Sequence, residues 1–305
     1  MKVLASGYPS LDHILPVSHS PAVGSTALIL SAPDAPTFGG CGANVAVALQ
    51  RLGESAGVAM VIGGDPAGHE YRRYLVERGV DVRNLIALED EKTSFSYLFR
   101  TPDGEYQNFF YPGAADAWRG TLSLSGLTEL TWALVTVAPF AYNQQFVRLA
   151  RGAGVPLIWQ LKPDIYAYPH DGMVEFASVS RIILMNGIEA DFLCAALGID
   201  GVRGLLSETT HMVVVTRGAQ GVCVHTRHGE EEIPGLLVEV VDSVGAGDGF
   251  TAGFIAGLLN GRDPGVCARW GTIVASFVLE RIGCQTNLPD KETFERRYTE
   301  HFGTP

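Results

Sequence analysis

Several things are scarce in these 305 residues, and each scarcity removes a class of function. Basic charge is scarce: 22 lysines and arginines stand against 33 aspartates and glutamates, a formal net charge of −11. No lysine/arginine cluster offsets that balance locally, so nucleic acid and anionic membrane are unfavourable partners. Cysteine is scarce too. Cys41, Cys194, Cys223, Cys267 and Cys284 are odd in number and form no CxxC pair. That speaks for reduced thiols in a cytoplasmic protein and against a disulfide framework or a zinc site. No apolar run approaches the ~20 residues that span a bilayer. The opening MKVLASGYPSLD lacks the apolar stretch and cleavage pattern of a secretory leader. There is no Walker-type GxxxxGK[ST] loop, which disfavours a P-loop kinase. No GxGxxG follows an early strand, which disfavours a nicotinamide-linked oxidoreductase. His225 and His228, beside an acidic run, read as an exposed turn.

What is abundant is apolar. Hydrophobic residues make up 47% and charged residues 18%, the composition of a globular chain with a substantial core. Short apolar strands, at 3–6, 56–62, 134–137, 156–160, 182–185, 213–216 and 222–225, alternate with helical spacing over 44–52, 70–78 and 146–151. This alternation predicts an α/β fold, a central mostly parallel sheet with helices on both faces. Ligands of such sheets bind at the carboxyl ends of the strands. Segment 7–12, Asn186, Thr216 and the turn at Gly245 are expected at such ends. Segments 13–38 and 93–113 break the pattern. Their strand-like alternation, as in SFSYLF at 94–99, predicts a small β-sheet inserted into one domain over 1–305.

The most informative run is VVDSVGAGDGFTAGF at 240–254. Gly245, Ala246 and Gly247 deliver the carboxylate of Asp248 to the start of an apolar segment. Phe250, Phe254, Ile255, Leu258 and Leu259 recur there at helical spacing, which puts Asp248 in a first helical turn. Glycines allow close backbone approach, and free N–H groups at a helix start attract phosphate. Amides that hold an anion beside a carboxylate that accepts a proton suit phosphoryl transfer. The same residues also fit a plain tight connection, with Asp248 complementing the helix dipole.

Two signatures decide between these readings. GGCGAN at 39–44, followed by VAVALQRLG, and DSVGAGDGFTAGF, about 200 residues later, resemble the first and second motifs of the ribokinase-like (PfkB) family of sugar and nucleoside kinases. The resemblance runs from Gly7 to about Pro289. It implies transfer of the γ-phosphate of ATP to a hydroxyl, with Asp248 as general base over the amides of Gly245, Ala246 and Gly247. It implies an acceptor surface of Asp12, Ser10, Gly40, Cys41 and Asn44, covered by a small β-sheet lid through which a homodimer could form. Asn186-Gly187-Ile188-Glu189 matches the NxxE motif, with Glu189 organising Mg2+ through water. Thr216, Gly218 and Gly221 match the TxGxxG nucleotide segment, to which Gly247 and Thr272 add. A monovalent cation, potassium in many members, would take backbone carbonyls of Asp242, Val244, Val278, Arg281 and Gly283 and the side-chain oxygen of Asn287.

The chain departs from ribokinases in places. Cys41 stands where they often carry Lys and Ser10 where they carry Asn. The ribose-binding Glu expected after Val137 is missing, and Ser243 replaces Thr. GYPSLD at 7–12 is closer to the GNPLLD of adenosine kinases, and QNFFYPGA at 107–114 resembles their lid region. Tyr8, Phe99, Phe109 and Phe110 could stack on a base or fill the lid's own core. A nucleoside is therefore the favoured acceptor and a free sugar, ribose or fructose, the alternative. A catalytically silent binding protein on this fold would have no need of an intact 245–248 run.

Overall fold

The computed structural model describes residues 1–162 and 168–303. A nine-stranded sheet runs through the molecule. Its first strand, β1 (Val3–Ser6), sits inside the sheet, not at an edge. Strands β2 (Ser10–Pro16) and β3 (Thr37–Gly39) leave it for a second sheet, and the chain returns through α1 (Cys41–Arg51) to β4 (Ala56–Gly63) beside β1. Helix α2 (Pro66–Glu77) leads to β5 (Asp81–Leu88), which forms one edge. Strands β6 (Phe95–Arg100) and β7 (Tyr106–Tyr111) complete the second sheet, and α3 (Gly113–Ala117) follows.

The chain then crosses to the other side of β1. Strand β8 (Trp132–Val135), α4 (Phe140–Gly152), β9 (Leu157–Gln160), α5 (His170–Val179), β10 (Ile182–Asn186), α6 (Gly187–Leu197) and β11 (Met212–Thr216) extend the sheet in parallel. Strands β12 (Val222–Thr226) and β13 (Gly229–Ile233) close it antiparallel. Helices α7 (Ala246–Leu259), α8 (Pro264–Leu279) and α9 (Lys291–Phe302) end the chain. The spatial order β13-β12-β11-β10-β9-β8-β1-β4-β5 reverses direction at β1 and β8, and that switch point opens a crevice at the carboxyl ends of the strands.

Two apolar layers bury the sheet, because successive side chains of a strand point to opposite faces. Val3 and Ala5 pack with α1, α2, α7, α8 and α9, while Leu4 packs with α4, α5 and α6. Helix α7 is apolar all round and nearly wholly buried, so its N-terminus is fixed in place by the core.

The small sheet has the order β3-β2-β6-β7, with β2 and β6 parallel and the outer pairs antiparallel. Phe109 is 60% exposed on its outer strand. The strand expected at 222–225 is present as β12, but the reading of His225 and the acidic run as an exposed turn needs correcting. His225 is buried in β12 and the glutamates form β13, so the exposed turn is limited to Arg227 and His228 between them. The 245–247 turn also does not follow a strand. Irregular chain leads to it from β13, and what holds it in the crevice is α7.

Candidate active site

Gly245 caps α7 with φ 81°, in the left-handed region. A Cβ there would come within 2.6 Å of the Cβ of Cys284, so both conformation and space require glycine. Gly247 has nothing within 4 Å of the place a Cβ would occupy and faces open space. The amides of Gly247 and Asp248 precede the bond from Gly249 N–H to the Gly245 carbonyl at 2.9 Å, so they belong to the unsatisfied first turn.

Asp248 is 6% exposed. Both its oxygens accept from amides: Oδ2 from Asn44 Nδ2 at 2.7 Å and Oδ1 from Gln160 Nε2 at 2.6 Å. Asn44 is fixed in turn, since its Oδ1 accepts from Gln285 Nε2 at 2.7 Å and Gln285 Oε1 accepts from Tyr74 OH at 2.7 Å. Asn44 lies within α1 and orients Asp248, a stronger tie than helix capping. Gln160, at the end of β9, was not singled out in the sequence. Its Oε1 has no partner among the described residues.

Lys162 was also missed. It lines the same cleft of about 270 Å³ as Cys41, Gln160, Glu189, Gly247 and Asp248. Its Nζ lies 4.0 Å from Cys41 Sγ. Cys41, then Asp248 and Asp12, hold Lys162 above the ordinary lysine range, so it stays an ammonium. Burial, then the charge of Asp248, pushes the Cys41 thiol up to about 12 and keeps it neutral. Lys162, two residues beyond the end of β9, thus brings an ammonium into the cleft beside Cys41.

Asp12 lies on β2, inside the small sheet, and is 7% exposed. Its Oδ1 accepts from the Ser10 hydroxyl, which is also 3.2 Å from Ser96 Oγ. Burial raises its pKa, and Ser10 opposes that. Gly40 has φ 99°, and a Cβ on it would collide with the Tyr8 carbonyl. The close approach it permits is therefore between backbones. Tyr8 and Phe110 meet edge-on at 5.0 Å at this end, while Phe99 packs on Phe109 within the small sheet.

Asn186 and Glu189 form a reciprocal capping box on α6. Asn186 Oδ1 accepts from Glu189 N–H at 2.9 Å, and Glu189 Oε2 from Asn186 N–H at 2.7 Å. Burial raises the Glu189 carboxyl to about 6. Beyond them a second cavity of about 220 Å³ contains Gly218, Gly221, Leu236, Thr272, Ala275 and Leu279. It shares Thr216, Ser243 and Gly247 with the first, so one cleft runs from Cys41 to α8.

The residues expected to hold a monovalent cation lie on two segments that meet, 242–244 and the end of α8 with the loop after it. Val241 and Asp242 N–H donate to the Leu279 carbonyl. Asp242 Oδ2 accepts from Gly283 N–H at 2.9 Å, and its Oδ1 from Val244 N–H and Tyr106 OH. The Val278 carbonyl accepts from Arg281 N–H at 3.4 Å, and Asn287 Nδ2 donates to the Phe277 carbonyl at 2.7 Å.

Comparison with known proteins finds relatives over nearly the whole chain. A nucleoside kinase of Methanothermobacter thermautotrophicus is 30% identical over 303 residues, spanning 99% of this chain and 96% of that protein. The crystal structure of Methanocaldococcus jannaschii nucleoside kinase, described as an archaeal member of the ribokinase family, superposes with TM-score 0.88 at 27% identity over 99% of both chains. A Burkholderia thailandensis nucleoside kinase in complex with inosine shares the fold, with TM-score 0.90, 23% identity and coverage of 99% and 100%. Among the described residues no helix is long and apolar enough to cross a membrane. The family model for pfkB carbohydrate kinases matches residues 34–291, and the chain belongs to that family.

Proposed function

We propose that this enzyme transfers the γ-phosphate of ATP to a primary hydroxyl of a nucleoside, with Asp248 as the base. The observation that carries the chemistry is Asp248 itself. It is a buried carboxylate held at both oxygens by side-chain amides, in a cleft, in the first turn of a helix whose Gly247 and Asp248 amides are unspent. ATP lies along the cleft with its base against Thr272, Ala275 and Leu279 and its γ-phosphate at the 245–247 amides. A weak base suffices, because in a loose transition state the attacking hydroxyl becomes acidic only late.

Lys162 neutralises charge on the transferring phosphoryl group from the opposite wall. Glu189 suits magnesium held through water, since one oxygen is spent on Asn186 and the oxygen chemistry fits that ion. Bound there, magnesium would offset phosphate charge. A monovalent cation on the carbonyls of Asp242, Val244 and the 278–283 loop would brace the 245–247 turn. The small sheet acts as a lid, and Asp12 anchors the acceptor's sugar hydroxyls.

The nucleoside assignment rests on the full-length likeness to nucleoside kinases and on the 7–12 and 107–114 segments. It is tested by coupled ADP release with adenosine, inosine, cytidine, ribose and fructose at fixed ATP and magnesium. A preference for a free sugar by tenfold, about 1.4 kcal/mol, would overturn the nucleoside assignment and leave the kinase chemistry standing.

A further inference from the structure

The edge of the large sheet beyond the nucleotide turn carries a second cluster of reactive side chains. Cys223 and His225 alternate along β12, so both leave the same face, and Glu230 of β13 is the direct cross-strand partner of His225. The thiol, an imidazole nitrogen and a carboxylate oxygen all lie within 4.8 Å of one another. Cys223 is 1% and His225 6% exposed, while Glu230 reaches the rim. Both ring nitrogens of His225 are buried without a hydrogen-bond partner among the described residues. Nδ1 lies 3.2 Å from Glu230 Oε2, a contact outside good hydrogen-bond geometry that pairs charges only when the ring is protonated, and Nε2 has no hydrogen-bond partner among the described residues. A buried imidazole left so poorly satisfied is costly unless something else binds it.

We propose that Cys223, His225 and Glu230 form a binding site for a zinc-class divalent ion. One sulfur, one nitrogen and one oxygen donor suit zinc and its neighbours, and do not suit magnesium, which takes oxygen ligands in octahedral geometry. Tetrahedral bonds to zinc set ligand atoms roughly 3.3–3.8 Å apart, so small side-chain rotations close the cluster. The fourth position opens toward a groove of about 590 Å³ lined by His225, Ile188, Asp191, Val202 and Arg217, from which water can complete the shell. The other charges facing the cluster are Glu232, the cross-strand partner of Cys223, Arg203, 3.9 Å from Glu230, and Arg217, 3.2 Å from Glu232. Arg203 is exposed and can turn to solvent when Glu230 is taken, and Arg217 is already paired. Binding exchanges the Cys223 thiol proton for the metal, so one proton is released and affinity rises with pH.

The site lies on the hairpin that carries the nucleotide turn. Cys223 pairs with Val215 and Val222 with Thr216. An ion there ties β12 to β13 and steadies the strand ends that present Thr216 and Gly218.

The test uses the full-length protein stripped of metal, titrated with CoCl2 and separately with ZnCl2 against a chromophoric chelator. One cobalt per chain is expected, with a thiolate-to-cobalt charge-transfer band that zinc abolishes, together with a raised melting temperature. Cys223→Ser, His225→Gln and Glu230→Gln should each weaken binding by more than the roughly tenfold that even an outer-shell change costs. Glu230 sits at the rim, so that variant keeps the test open if a buried one fails to fold. Absence of the charge-transfer band would overturn the proposal. So would zinc binding that survives all three substitutions or is abolished by Cys41→Ser, which would put the ion in the phosphoryl-transfer cleft instead.

Discussion

Replacing Asp248 by Asn separates proton acceptance from everything else the carboxylate does. In the wild type its two oxygens accept from Asn44 and Gln160. An amide at this position presents one oxygen and one NH2, so one neighbour would face donor against donor. Asn44 cannot turn, because its own oxygen is held by Gln285 and, through it, by Tyr74. Gln160 can, because its Oε1 has no partner among the described residues. After a Gln160 flip, the substituted amide accepts from Asn44 and donates to Gln160 Oε1, and the number of unpaired buried groups is unchanged, since Gln160 Nε2 takes the unpartnered position that Oε1 held. The stability cost should therefore stay within the ~1 kcal/mol of an ordinary neutral hydrogen bond. The loss of a positioned base should lower kcat by ~10²–10⁴, or ~2.7–5.5 kcal/mol of barrier. The assay is steady-state ADP release with nucleoside and ATP, paired with calorimetric nucleoside binding and a melting curve. Retention of kcat within about threefold, under ~0.7 kcal/mol, would falsify Asp248 as the base. A lost kcat accompanied by a collapsed melting temperature would refute the flip argument.

Lys162→Met should lower kcat by ~10²–10³, the usual cost of one transition-state donor, with nucleoside KM nearly unchanged; a pure KM effect would place Lys162 on the acceptor instead. Asp12→Ala should raise the acceptor KM by the equivalent of roughly 1.5–3 kcal/mol and leave ATP affinity alone, as measured by separate titrations. Burial raises the Glu189 carboxyl to about 6, and the magnesium role needs its charged form. Activity should therefore fall as pH drops through about 6, and Glu189→Gln should flatten that limb of the pH profile.

How much of this was legible beforehand follows from where each contact comes from. The 245–248 turn, the Asn186/Glu189 capping box and the strand–helix alternation arise from neighbours in the chain, and local spacing reveals them. The flanking motif at 39–44 is distant in sequence, yet its own pattern makes it visible. Gln160 and Lys162 had no such pattern: the first ends an ordinary apolar strand and the second follows it by two residues, and Gln160 meets Asp248 across 88 positions. His225 was misread because an acidic run looks like solvent until a second strand pairs with it.

The sequence by itself therefore determined the fold class and singled out Asp248 as the carboxylate behind the glycine turn, since periodicity and glycine placement are properties of short segments. Only the tertiary structure decided what surrounds that carboxylate. The reversal of strand order at β1 and β8 opens the crevice, and the buried α7 holds its N-terminus there. The ammonium of the cleft comes from Lys162 although position 41 is a cysteine, because a charge acts through its position in space and any segment bordering the crevice can supply it.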